Sequence, residues 1–141
     1  MNVSVDEFTS LSPITINLNA SLSEALKLMQ DNDIRHLPVT EEKKVLGIVS
    51  ERDLLANFGK PWSEELKIKT IMCTSILYVY ANDSLGDVAY RLSKEKKGSA
   101  IVLDENGMFY GIFTTTDALN ALVEILSPEA NAKCMIKEIM G

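Results

Sequence analysis

The sequence predicts an α+β fold made of two pseudo-symmetric β-α-β-β-α repeats packed through their sheets. Three observations carry this prediction. A phrase of glycine, two apolar residues, a hydroxyl residue, two further positions and aspartate occurs as GIVSERD at 47–53 and again as GIFTTTD at 111–117. A capped amphipathic stretch, SLSEALKLM from Ser21, returns as SLGDVAYRL from Ser84. Between stretch and phrase, both halves hold two strand-like runs. The offset is 63 residues at Ser21/Ser84 and 64 at Gly47/Gly111, so the second hairpin carries one extra residue in its turn.

In chain order, ITINL at 14–18 is a short apolar run that reads as a strand. SLSEALKLMQDND follows as a helix. Ser21 is placed to cap it, Glu24 is the capping-box partner, and Leu22, Ala25, Leu26 and Met29 recur on one face. HLPVT at 36–40 and VLGIVS at 45–50 read as a hairpin around the charged EEKK, and SERDLLANF reads as the next helix. The second half restates this order with ILYVY at 76–80, the helix SLGDVAYRLSKEKK, the hairpin SAIVLDENGMFYGIFT and the closing helix TTDALNALVEIL. Asn106-Gly107 marks the second turn, a dipeptide suited to the positive φ of primed turns. The first repeat therefore covers 1–57, a crossover 58–67, the second repeat 68–127 and a C-terminal tail 128–141. Trp62 in the crossover reads as a packing residue. The tail's CMIKEIMG echoes IKTIM at 68–72 and reads as an extra edge or short helix, or as the opening of a third unit. A repeat of about sixty residues is marginal alone, which favours two copies sharing an interface.

Charge and composition narrow the function. With 14 basic and 20 acidic side chains the net charge is −6, and such a field repels nucleic acid and anionic membranes while leaving room for a local small-anion site. No run approaches the roughly 18 apolar residues of a membrane span. MNVSVDEF carries acidic residues where a signal peptide has basic ones, so a cytoplasmic protein without membrane insertion is expected. Cys73 and Cys134 are too far apart for a metal knuckle and read as reduced thiols. His36 is the single histidine and has no serine or cysteine partner in its sequence context, so no catalytic residue and no enzyme activity is expected.

The repeated phrase supports two readings. Ser50 and Thr114 stand where strand gives way to helix, and their hydroxyls can accept the free N–H groups of the first turn. Asp53 and Asp117 then fall at the third helical position, where a carboxylate suits the positive end of the helix. Alternatively, the helix N-terminus is a natural place for phosphate, and the two oxygens of each carboxylate suit the adjacent hydroxyls of a ribose.

At these residues the sequence resembles the tandem CBS-domain pair, or Bateman module. IRHLPV and GIVSERDLL carry the more typical copy; SLGDVAYRLSKEKKGSAIV and GIFTTTDAL carry the second. The resemblance implies a regulatory module that senses adenosine nucleotides such as AMP, ADP or ATP, or related adenosyl compounds, in clefts between the repeats. It implies no other cofactor. One cleft would combine Ile48, Ser50 and Asp53 with Thr70, Ser75, Gly98 and Ser99. The other would combine Ile112, Thr114 and Asp117 with Arg35, His36, Leu37 and Pro38. By the same resemblance the hydroxyls meet phosphate or ribose, the aspartates the ribose diol and Thr70 the adenine. Arg35 and His36 would meet phosphates, with affinity falling as His36 loses its proton above about pH 6.5. The sequence departs from the pattern at Glu7, which stands at the place of Thr70, and at Ile101, which stands at that of Pro38. Lys97-Gly98-Ser99 replaces Ile34-Arg35-His36. A homodimer is also expected, through the apolar stretch holding Leu119, Leu122, Val123 and Leu126, with output to a separate regulated protein or another copy. The alternative is a structural or protein-interaction module with empty clefts.

Overall fold

The computed structural model describes residues 2–11 and 14–127. The expected tail, with Cys134, lies outside the described residues. In chain order a 3-10 turn at Val5–Phe8 leads to β1 (Ser10–Leu11), β2 (Ile16–Asn17), α1 (Leu22–Asn32), β3 (His36–Glu41), β4 (Lys44–Ser50) and α2 (Glu51–Asn57). There follow α3 (Ile68–Ile71), β5 (Tyr78–Tyr80), α4 (Leu85–Glu95), β6 (Ser99–Leu103), β7 (Phe109–Thr114) and α5 (Thr115–Leu126). The fold is α+β, and β2-α1-β3-β4-α2 is repeated as β5-α4-β6-β7-α5.

The chain folds into two compact units. The first-repeat unit runs from beyond Leu11 to Ile76. Its sheet has the order β2-β3-β4, with β2 parallel and β4 antiparallel to β3. Leu22, Ala25, Leu26 and Met29, the apolar face read from the sequence, pack with Leu37, Val39, Val49 and Leu54 in its core. Ile68 joins them from the segment that introduces the second repeat, which is held by Ile68 N–H to Ala20 C=O (2.9 Å) and Lys69 N–H to Leu18 C=O (2.9 Å).

The second-repeat unit gathers the N-terminal residues through Leu11 with the chain from Leu77 onward. Its sheet has the order β1-β7-β6-β5. Val5 is fully buried there among Leu77, Val79, Val88, Val102 and Phe113. Val5 N–H donates to Asp83 C=O (2.8 Å), and Leu85 N–H donates to Val3 C=O (2.8 Å). Each core is thus completed by the lead-in segment of the other repeat, and a repeat of marginal length gains an extra buried aliphatic side chain.

The two hairpins share a register but not a turn. His36 pairs with Ser50 as Ser99 pairs with Thr114, and a bulge follows at Val39/Thr40 and at Val102/Leu103. The first hairpin closes with two residues, Glu42 and Lys43, both at positive φ (49° and 70°). The second is one residue longer. Gly107 N–H donates to Asp104 C=O (2.9 Å), Asp104 N–H donates to Met108 C=O (2.8 Å), and only Gly107 has positive φ (77°). The extra residue expected from the offset is present, while the turn with two positive-φ residues lies in the charged hairpin rather than at Asn106-Gly107. A two-residue connection of type I′ needs that geometry at both positions whatever its side chains; a three-residue one needs it only at its last position.

Trp62, read from the sequence as a packing residue, is 50 % exposed, with the Lys60 ammonium 5.5 Å from its ring centre. Among the described residues no helix is long and apolar enough to cross a membrane.

Candidate functional site

The repeated phrase begins with a packing requirement. A Cβ on Gly47 would lie 2.6 Å from Met72 Sδ and 3.0 Å from the Cys73 carbonyl oxygen. One on Gly111 would lie 2.6 Å from Thr9 Cγ2 and closer still to the Ser10 carbonyl oxygen. In each unit the glycine admits the lead-in segment across the strand. That segment is then fixed by backbone pairing, Ile48 with Cys73 (2.9 and 2.8 Å) and Ile112 with Ser10.

Three residues on, the hydroxyl and the carboxylate form a complete capping box in both units. Ser50 Oγ accepts Asp53 N–H (3.2 Å), and Asp53 Oδ2 accepts Ser50 N–H (3.4 Å). Thr114 Oγ1 accepts Asp117 N–H (3.3 Å), while Asp117 Oδ2 accepts both Thr114 N–H (2.8 Å) and Thr114 Oγ1–H (3.1 Å). Ser21 achieves only half of the box expected there: its Oγ accepts Glu24 N–H at 3.1 Å. At Asp53 and at Asp117, all side-chain capping goes through Oδ2. Oδ1 has no hydrogen-bond partner among the described residues and keeps both lone-pair directions. Capping and ligand binding are therefore compatible in one side chain.

Hairpin partners surround each helix start. Glu51 N–H donates to Arg35 C=O (2.9 Å), and His36 lies opposite Ser50, so Arg35 and His36 share the first-repeat unit with Ser50 and Asp53. Leu37, Pro38, Ile48, Thr70 and Ser75 belong to the same unit. Thr70 lies in α3, and Leu37 is a core residue. In the second-repeat unit Thr115 N–H donates to Gly98 C=O (3.1 Å), Ser99 lies opposite Thr114, and Ile112 lies between Ile101 and Ser10. Burial holds the His36 imidazole below its ordinary pKa of 6.5; the Asp53 carboxylate raises it, and the Arg35 guanidinium lowers it further. Burial likewise pushes the Asp117 carboxyl above 3.8, opposed by the two Thr114 hydrogen bonds.

Within the second-repeat unit Asp117 borders a cleft of about 260 Å³; Gly98, Ser99, Ile112 and Thr114 do not line it. Three carboxylic residues line it, Glu7, Asp117 and Glu124, together with Asn120. Phe8, Thr9 and Ser10 complete the wall. Glu7 is held by Ser4 N–H, which donates to its Oε2 at 3.1 Å. Phe8, Thr9, Ser10, Asn120 and Glu124 escaped the sequence reading. Asn120 and Glu124 stand three and seven residues beyond Asp117, a spacing that keeps them on one helix face and could have revealed them.

A family model for the CBS domain matches residues 5–60 and 68–124, and the chain belongs to that family, whose domains are regulatory rather than catalytic. Among the described residues no group of three His, Cys, Asp or Glu side chains is placed to hold a metal ion. The structure is similar to that of Vibrio cholerae AcuB (TM-score 0.79, 30 % identity, 89 % of this chain and 94 % of that one). It is also similar to a CBS domain pair solved with 5′-methylthioadenosine and S-adenosyl-L-methionine (TM-score 0.78, 26 % identity, 86 % and 97 % coverage). A third similar structure is CBSX2 in complex with AMP (TM-score 0.75, 27 % identity, 86 % and 97 % coverage). The chain spans 40 % of the length of a longer Methanocaldococcus jannaschii relative to which it is 26 % identical over 121 residues.

Proposed function

We propose that this protein is a regulatory module that senses an adenosine nucleotide or related adenosyl compound, with Ser50/Asp53 and Thr114/Asp117 as its ribose-reading groups. One observation carries the reading: in both units the aspartate caps its helix through Oδ2 and leaves Oδ1 unused among the described residues. A carboxylate oxygen left out of the capping, beside a hydroxyl, is suited to a vicinal diol, and such charge-assisted hydrogen bonds contribute about 1.5–3 kcal/mol in favourable cases. The structures with AMP, 5′-methylthioadenosine and S-adenosyl-L-methionine support the same ligand class.

In this reading Thr70 is the base-contacting hydroxyl of the first-repeat unit, and Arg35 with His36 supplies donors for a phosphate or ribose. The protein acts as a homodimer in the cytoplasm and passes its ligand state to a separate protein. The outward apolar face of α5 supports self-association: Leu119 is 62 % and Leu126 71 % exposed. The test of ligand sensing is a thermal-shift screen with AMP, ADP, ATP, NAD, adenosine and S-adenosylmethionine. A ligand specific for the native state at about 100 times its dissociation constant stabilises by roughly 2.7 kcal/mol. A shift with at least one adenosyl ligand is expected. A flat response to all of them contradicts the proposal and favours an interaction module.

A further inference from the structure

The cleft of the second-repeat unit differs from its counterpart in the groups that a ligand would meet. By the 63- and 64-residue offsets, the places of Glu7, Asn120 and Glu124 are held in the first-repeat unit by Thr70, Ala56 and Lys60. Three carboxylic residues therefore line the second-repeat cleft, and among the described residues no basic side chain lines it.

Asn120 supplies a second, independent observation. It is only 6 % exposed, and its amide makes no hydrogen bond among the described residues. Yet no fully buried side-chain nitrogen or oxygen there lacks a partner. The Asn120 amide must therefore keep an open edge, and the cleft is the opening that it lines. That open edge offers an N–H donor and a carbonyl acceptor to a molecule in the cleft.

Resting on the adenosyl reading above, we infer that this cleft takes a phosphate-free adenosyl ligand, a nucleoside or an adenosyl sulfonium, and that Asn120 hydrogen-bonds to it. A phosphate entering the cleft would face the like charges of Glu7, Asp117 and Glu124, which line it. A sulfonium or ammonium group would meet the opposite sign. At about 260 Å³ the cleft is just below the roughly 300–1,000 Å³ usual for small-molecule pockets, a size suited to a nucleoside more than to a nucleoside triphosphate.

The test is calorimetric titration of adenosine, S-adenosylmethionine, AMP and ATP into the wild type and into Asp53→Asn, which weakens the other unit's site. In Asp53→Asn, adenosine or S-adenosylmethionine should bind at least tenfold more tightly than AMP or ATP. Adding Asn120→Ala should weaken that binding at least fivefold. Adding Glu7→Gln, an exposed change that retains the acceptor for Ser4 N–H, should narrow the discrimination against AMP at least threefold. ATP binding as tightly as adenosine, loss of all binding in Asp53→Asn, or affinity untouched by Asn120→Ala would overturn this inference while leaving adenosyl sensing intact. Silence of the wild type towards all four ligands would overturn both.

Discussion

Asp53 and Asp117 show how one residue type can meet two demands, because a carboxylate has two oxygens and a capping box uses one. The sequence made both demands legible through the S/T-x-x-D spacing, but only coordinates show that Oδ2 does all the side-chain capping. Gly47 and Gly111 admit a close backbone approach, and what approaches is the protein's own lead-in segment. Replacement at Gly111 meets the Ser10 backbone, whereas replacement at Gly47 first meets the flexible end of Met72. Gly111→Ala should therefore cost about 1–3 kcal/mol in urea denaturation, the range for overpacking, and more than Gly47→Ala. Equal costs would contradict this packing. The two shifted groups act on stability in opposite directions. His36 has a lower pKa folded than unfolded, so the unfolded chain binds more protons just below pH 6.5, and stability is lost as pH falls through that window. Asp117 has a raised pKa, so its contribution is lost as pH rises from 3.8 through the folded value. His36→Gln should flatten the first slope and Asp117→Asn the second in denaturation series across pH. A His36→Gln profile identical to wild type below pH 6.5 would exclude the assigned cause. The lowered pKa also means that His36 loses its charge at lower pH than the ordinary value used in the sequence reading.

Helix starts, apolar faces and the repeat offset were all readable because they are local: a hydroxyl cap, a 3.6-residue period, one inserted residue. The turn with two positive-φ residues was misplaced for an equally local reason. Glu and Lys have no preference for positive φ, so nothing in EEKK announces a primed turn, whereas Asn-Gly announces one that a three-residue connection does not need. Left-handed backbone costs a non-glycine residue roughly 1–2 kcal/mol, so Glu42→Asn combined with Lys43→Gly should stabilise the protein by about 1–2 kcal/mol. Thermal or urea unfolding checks this, and an unchanged midpoint would mean that the charged turn carries no strain. Which core each lead-in segment enters was not legible from periodicity. Val5 and Ile68 are single aliphatic residues in short turns, and burial in the other repeat's core leaves no mark on the local pattern. The same limit hid most of the cleft: Asn120 and Glu124 sit in a leucine-rich helix that reads as amphipathic, and their partners Glu7 and Thr9 lie more than a hundred residues earlier.

For the whole molecule, the apolar residues of α5 that face solvent exceed what one unit's core requires: Leu119, Leu122, Ile125 and Leu126 are all exposed, while Ala121 is buried. Proposed self-association predicts sedimentation at twice the 15.6 kDa chain mass at micromolar concentration, and Leu119→Glu with Leu122→Glu should return the chain to monomer. A wild-type monomer with and without adenosyl ligand would refute it. Adenosyl sensing stands or falls on the two aspartates. Replacing a purely capping aspartate with asparagine should cost about 1 kcal/mol or less of stability and leave binding alone. Replacing one that reads a ribose should weaken binding at least tenfold, since about 1.4 kcal/mol is a factor of ten. The most direct measurement is calorimetry of adenosine and AMP, each beside its 2′-deoxy counterpart, on the wild type, Asp53→Asn and Asp117→Asn. Diol reading predicts that the wild type prefers the ribonucleoside forms and that each substitution removes that preference at its own site. Equal affinities for ribo and deoxy ligands across all three proteins would contradict it and return both carboxylates to helix capping alone.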